Sequence, residues 1–257
     1  MKCREIIHKI EEVFPKSLAL EWDNVGLLAG SSETEVRKIY LALDATEEVI
    51  EAAKGADLLI THHPMIFSPL RRVTDADFIG KRLLTLIQRN TAYYAMHTNY
   101  DVGRMSTLAA EYLGLSDPEI LKVTGEAQRP AGIGRVADLT CPVSLADYCE
   151  VVKRAFDLSQ VQVFGSPDRK IRRVAISPGS GESMIEPALS MGADVLVTGD
   201  IGHHGGIDAV AQGLSIIDAG HYGIEHIFVK DLKQFLEQRF PELTVVADVE
   251  RHPFVML

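Results

Sequence analysis

The sequence predicts an α/β protein made of two similar α/β domains from an internal duplication. A repeated heptapeptide, a shared order of apolar segments around it, and polar clusters at corresponding strand ends carry that prediction. Gly55-Ala56-Asp57-Leu58-Leu59-Ile60-Thr61 recurs as Gly192-Ala193-Asp194-Val195-Leu196-Val197-Thr198. Each copy is an apolar run of strand length that ends in a polar residue and follows a helical pattern, over residues 47–54 or 183–191. Another apolar strand precedes each helix, Ile39-Tyr40-Leu41-Ala42-Leu43 and Val174-Ala175-Ile176. A third follows each heptapeptide, Ala92-Tyr93-Tyr94-Ala95-Met96 and Leu214-Ser215-Ile216-Ile217. Strand–helix–strand–helix–strand, twice, is the order of α/β units with mainly parallel strands. Two long diverged copies indicate duplicated domains rather than a solenoid of many short repeats.

The remaining segments fit around these. Residues 1–13 alternate charged and apolar residues as an amphipathic helix does. Residues 115–130 are rich in turn and polar residues and mark a boundary. The expected domains are therefore 1–124 plus 231–257, and 125–230. The final segment, helical over 231–240 and extended over 243–249, is expected to return to the first domain.

A chain of 257 residues has room for one large or two modest domains. Its 46% hydrophobic and 24% charged content is that of a globular protein with a sizeable core. The formal charge of −10, from 26 basic and 36 acidic side chains, repels a nucleic-acid backbone. Arg71, Arg72, Lys81 and Arg82 read as a solvated strip. No apolar run approaches the roughly 18 residues of a membrane span, and the amino-terminal segment does not resemble a signal peptide. Three cysteines, Cys3, Cys141 and Cys149, show no CxxC spacing, which argues against a disulfide framework or a thiolate zinc site. The expected compartment is the reducing cytoplasm.

In open α/β sheets ligands collect at the carboxyl ends of the strands. There the sequence places Thr61-His62-His63-Pro64, His97-Thr98-Asn99-Tyr100-Asp101, Thr198-Gly199-Asp200 with His203-His204, and His221-Tyr222-Gly223-Ile224-Glu225. His97-x₃-Asp101 and His221-x₃-Glu225 are one device used twice. If each opens a helix, residues i and i+4 share a face and the imidazole and carboxylate point the same way. Imidazole with carboxylate suits zinc, manganese, iron or nickel, and the lack of thiolates suits a catalytic rather than a structural ion. His62, His63, Asp101, His221 and Glu225 are the candidate ligands of two divalent ions. His97 is a ligand or a partner that orients one. His203 and His204 bind substrate, shuttle protons or cap a helix. His8, His226 and His252 lack any partner pattern and read as structural or surface residues. Ser177-Pro178-Gly179-Ser180-Gly181-Glu182 is either a plain strand-to-helix turn or an anion cradle; it lacks the Gly-Lys-Ser/Thr of a Walker loop.

Together with Glu21-Trp22-Asp23-Asn24-Val25-Gly26-Leu27 and Ala219-Gly220-His221-Tyr222, these motifs resemble, in order and over nearly the whole chain, the GTP cyclohydrolase I type 2 homologues. That family is also called the NGG-interacting-factor-like family, and the resemblance is to its short form without an inserted domain. It implies a dinuclear metal site in the cleft between two α/β domains and a ring-shaped homohexamer. It places the ligands on the same five residues, His62, His63, Asp101, His221 and Glu225. The activity it implies is hydrolytic opening of the guanine imidazole ring of GTP with loss of formate, His97 and His204 being the candidate acid–base residues. A dinuclear phosphoesterase acting on a nucleotide-like substrate and a non-enzymatic metal-binding ring are the alternatives. Tyr100 stands where the family commonly has Leu, and Gly223-Ile224 where it has Ala-Thr. The role of Trp22-Asp23-Asn24 is left open between lining a cleft and forming a turn beside a buried Trp.

Overall fold

A computed structural model describes residues 1–125 and 131–254. In chain order its strands are β1 (Gly26–Ala29), β2 (Lys38–Ala42), β3 (Leu58–Thr61), β4 (Ala92–Ala95), β5 (Glu119–Val123), β6 (Gly132–Ser144), β7 (Gln162–Phe164), β8 (Lys170–Ser180), β9 (Val195–Gly199), β10 (Ser215–Asp218) and β11 (Thr244–Ala247). They form two sheets, one in each of two units: Met1–Tyr100 with Phe228–Arg251, and Asp101–Ile227 with the chain from His252. The fold is thus mixed α/β.

In the first unit the strand order is β1-β4-β3-β2-β11. Strands β11, β2, β3 and β4 run parallel, and β1 closes the edge antiparallel to β4. β3 is buried along its length, the usual state of a parallel strand covered on both faces. The crossover helices start at side-chain caps that satisfy orphan backbone donors. Thr46 Oγ1 accepts from Val49 N (3.3 Å) to begin Glu47–Ala52, and Asp77 Oδ1 accepts from Gly80 N (2.8 Å) to begin Phe78–Gln88. The amphipathic helix Cys3–Glu11 buries Cys3, Ile6, Ile7 and Ile10. Burial pushes the Cys3 thiol up to about 11, so it is protonated and inert at neutral pH. The final segment does come back to this sheet, β11 pairing with β2 after the helix Ile227–Arg239. In the strip of basic residues Lys81 pairs with Glu47, and Arg82 lies over the Phe78 ring at 5.0 Å.

The second unit has the order β5-β6-β8-β9-β10-β7. Only β8, β9 and β10 are parallel; β5, β6 and β7 pair antiparallel. The mainly parallel sheet expected from the repeat is therefore extended on both sides. β5 lies inside the segment read as a boundary, because its mostly exposed face gives little apolar signal. The last five residues of that segment, 126–130, lie outside the described residues, as do 255–257. The chain passes between units at Tyr100–Asp101, Ile227–Phe228 and Arg251–His252, where the sequence led to an expectation of 124–125 and 230–231. No described helix is long and apolar enough to cross a membrane.

The repeated heptapeptides do the same work in both sheets. Asp57 Oδ2 accepts from the backbone N–H groups of Arg37 (2.8 Å) and Lys38 (3.0 Å). Asp194 Oδ2 accepts from those of Arg172 (2.8 Å) and Arg173 (2.9 Å). Each Asp thereby ties the start of its strand to the chain of the preceding one, at residues 37–38 or 172–173. The glycine two residues earlier has positive φ in both copies, +80° at Gly55 and +69° at Gly192, as the tight turn from helix to strand requires.

Candidate metal centre

The carboxyl ends of β2, β3 and β4 carry Asp44, the His62–His63 pair and His97. The loop after β3 is held by its neighbours: Thr61 Oγ1 donates to His63 O (2.8 Å) and Met65 N donates to the buried Tyr93 hydroxyl (2.8 Å). His62 is wholly buried, and its Nδ1 lies 2.8 Å from Met96 O. A carbonyl only accepts, so that nitrogen carries the proton and Nε2 is the one that could ligate a metal. His63 Nδ1 lies 2.7 Å from Asp44 Oδ1, and His97 Nδ1 lies 2.9 Å from Asp23 Oδ1. The three rings pack with centroids 5.0–5.6 Å apart, and each offers a ring nitrogen within 4.8 Å of the others.

Asp23 is the anchor of this group. Its side chain has no exposure. Burial alone would raise its pKa, but hydrogen bonds from His97 and from Thr98, side chain and backbone, hold it down at about 2. Oδ2 takes Thr98 N at 2.9 Å together with the Thr98 hydroxyl, while Oδ1 also receives Asn24 N at 2.8 Å.

In the second unit the corresponding strand ends carry Gly179 on β8, Asp200 after β9 and His221 after β10. Helix His221–Glu225 places His221 Nε2 2.8 Å from Glu225 Oε2, on one face as the i,i+4 spacing requires. His221 Nδ1 lies 2.7 Å from Asp200 Oδ2. Asp218 pins the two loops together, accepting from Ile201 N and Gly220 N at 2.9 Å each. Asp200 has φ +55°, a conformation Asp tolerates better than most residues and one that recurs at functional sites. Glu225 is 3% exposed. Asp101 is half-buried and opens a π-helical turn, Asp101–Met105, whose exit is fastened by Ser106 Oγ donating to Asp101 O (2.9 Å). The two His-x₃-acid segments therefore differ locally, one α-helical and one passing into a π-turn, a form concentrated at functional sites.

Four imidazoles thus share one arrangement, Nδ1 engaged by a carboxylate or carbonyl. That is the support ligating histidines receive in metalloproteins. Imidazole nitrogens with carboxylates and no thiolate fit a divalent transition ion. His97 enters the same His62–His63–His97 group as a potential ligand, beyond its expected acid–base role. His204, the other expected acid–base residue, is exposed beside His203 in the first turn of helix His203–Ala211 and joins no metal-holding group among the described residues. Sequence reasoning overlooked Asp44 and assigned no role to Asp23 or Asp200, although both lie within motifs it singled out.

The glycine loop 179–181 does a different job from an anion cradle. A Cβ on Gly179, which has φ +83°, would lie 2.4 Å from Glu225 Oε1. A Cβ on Gly181 would lie 2.0 Å from Thr198 Oγ1. The glycines let β8 approach the Glu225 carboxylate and β9. Gly179→Ala is accordingly expected to cost about 1–2 kcal/mol in backbone strain and to displace Glu225. A metal-binding isotherm weakened by about tenfold or more, with secondary structure retained by circular dichroism, is the expected result; an unchanged isotherm would refute it.

Residues 1–253 match the family model Duf34/NIF3 (NGG1p interacting factor 3). A Clostridium perfringens protein named GTP cyclohydrolase 1 type 2 homolog is 36% identical, with 99% of both chains covered. A Staphylococcus aureus hypothetical protein of known structure superposes with a TM-score of 0.90 at 31% identity, covering 100% of this chain and 99% of its own. A Bacillus cereus protein related to NIF3 gives the same TM-score and coverage at 26% identity. The chain is a member of the Duf34/NIF3 (NGG1p interacting factor 3) family.

Proposed function

We propose that this protein is a metal-dependent hydrolase that holds two divalent ions through His62, His63, Asp101, His221 and Glu225. The observation that carries the reading is the shared support of the four imidazoles, each with Nδ1 engaged. Three neutral imidazoles bring no charge to balance a divalent cation, whereas Asp101 and Glu225 bring two negative charges. Two of the three passages of the chain between units fall close to candidate ligands, Asp101 at one and Glu225 two residues before another. The matching roles of Asp57 and Asp194 support an origin of the units by duplication.

A divalent ion, when bound, supplies the Lewis acidity that brings water within reach of reaction near neutral pH. The chain's part is to hold the imidazoles in one tautomer through Asp23, Asp44, Asp200 and Met96 O, and to place Glu225 beside His221. From the names its relatives bear, the substrate proposed is GTP and the reaction its ring-opening hydrolysis with release of formate. Assembly into a homohexamer is proposed with it. The test is metal content per chain on gently purified protein, paired with formate release from GTP on the same sample. Close to two ions with formate release is the expected result. Two ions without turnover would keep the centre and discard GTP; failure to bind any divalent transition metal would overturn the whole reading.

A further inference from the structure

Large aromatic rings are normally buried, yet Trp22 and Phe67 are 57% and 56% exposed. Their centroids lie 5.7 Å apart with the planes at 46°, neither stacked nor edge-to-face, so neither ring covers the other. Trp22 also lies edge-on to His97, at 5.9 Å and 71°. This exposure is held in place. Leu20 N donates to Thr98 Oγ1 (2.9 Å), and Asp23 takes hydrogen bonds from both His97 and Thr98. Asn24 Nδ2 donates to Ile66 O (2.6 Å), the residue immediately before Phe67. The turn that carries Trp22 and the segment that carries Phe67 are therefore tied to each other and to the histidine group. Trp22-Asp23-Asn24 is one unit: Asp23 orients an imidazole, Asn24 fastens the facing segment, and Trp22 is left presenting its ring to solvent.

We infer that Trp22 and Phe67 form a stacking platform that receives a flat heteroaromatic ring and holds it beside the histidine group. An apolar wall next to a few fixed polar groups is the make-up of a small-molecule site, whereas a docking face for protein is broader and lacks a ligating centre at its edge. Aromatic faces accept any flat base, so the platform selects for planarity and ring current rather than for one hydrogen-bonding pattern. The inference rests on reading His62, His63 and His97 as part of a metal centre, and it adds the residues that seat the substrate's ring there.

Trp22 is the sole tryptophan of the chain, so intrinsic fluorescence reports on the platform directly. The experiment titrates the full-length protein with guanosine, with ribose 5-phosphate as the ring-free control, and measures metal content on the same samples. Quenching by guanosine and none by ribose 5-phosphate is expected. Phe67→Leu is expected to weaken guanosine binding about tenfold, within the range of single base–aromatic stacks, with metal content unchanged. Trp22→Leu, read by equilibrium dialysis, should do the same. No guanosine quenching by metal-loaded protein would overturn the platform, as would undiminished affinity in both variants. Emission that shifts to the blue with protein concentration and ignores guanosine would overturn it too, giving the surface to a second copy of the chain. Quenching that persists in a protein unable to bind metal would remove the metal centre and leave the platform standing.

Discussion

Glu225→Gln is expected to strip metal from the protein while leaving its fold intact. The side chain is 4% exposed, with one oxygen 2.8 Å from His221 Nε2 and the other facing the space kept open by Gly179. Glutamine keeps the volume and one acceptor but removes the negative charge, so the loss falls on cation binding rather than packing. Removing a residue that merely supports a ligand costs about 10–100-fold in affinity. Removal of this charge is expected to cost at least the upper end of that range. Burial of a carboxylate is itself unfavourable, so the metal-free variant should melt at or above the temperature of metal-free wild type. Elemental analysis after gel filtration and thermal unfolding with and without chelator make the comparison. Chelator should lower the wild-type Tm through loss of a ligand specific to the native state, and leave the variant unmoved. Wild-type metal content in Glu225→Gln would remove this residue from the centre.

Asp23→Ala should have the largest effect on stability. It deletes a carboxylate with no exposure and leaves Asn24 N, Thr98 N, the Thr98 hydroxyl and His97 Nδ1 without their acceptor. Breaking a buried charged network from one side costs about 3–5 kcal/mol. His97 also loses the group that sets its tautomer, so metal binding should weaken about 10–100-fold. Asp23→Asn separates the two effects, because it keeps the shape and one acceptor oxygen and should recover part of the stability. Denaturant unfolding and a metal-binding isotherm on both variants test this. An Ala variant within about 0.5 kcal/mol of wild type would show that the anchor is not one.

Much of the scaffold was legible because its signals are local. The runs Leu58–Ile60 and Val195–Val197 are apolar, short and flanked by turn residues, and they became β3 and β9. The spacing of His221 and Glu225 needed only one helical turn to bring them together. β5 and β6 were not legible: β5 is mostly exposed, and β6 is exposed over much of its second half, so neither shows a continuous apolar run. The π-turn at Asp101 leaves no periodic mark either, since its side-chain fastening to Ser106 looks like any serine on a helix.

The sequence by itself determined the central strands of each repeat, their ends and the residue types gathered there, because apolar periodicity and short-range spacing are properties of neighbouring residues. Only the tertiary structure decided which residue engages Nδ1 of each histidine. His97 meets Asp23 across 74 positions, His221 meets Asp200 across 21, and His63 meets Asp44 across 19. The His63 and His221 pairings are made by parallel strands that bring their carboxyl ends side by side, and the His97 pairing by β1 running antiparallel to β4; a hydrogen bond between distant residues imposes no pattern on the chain between them.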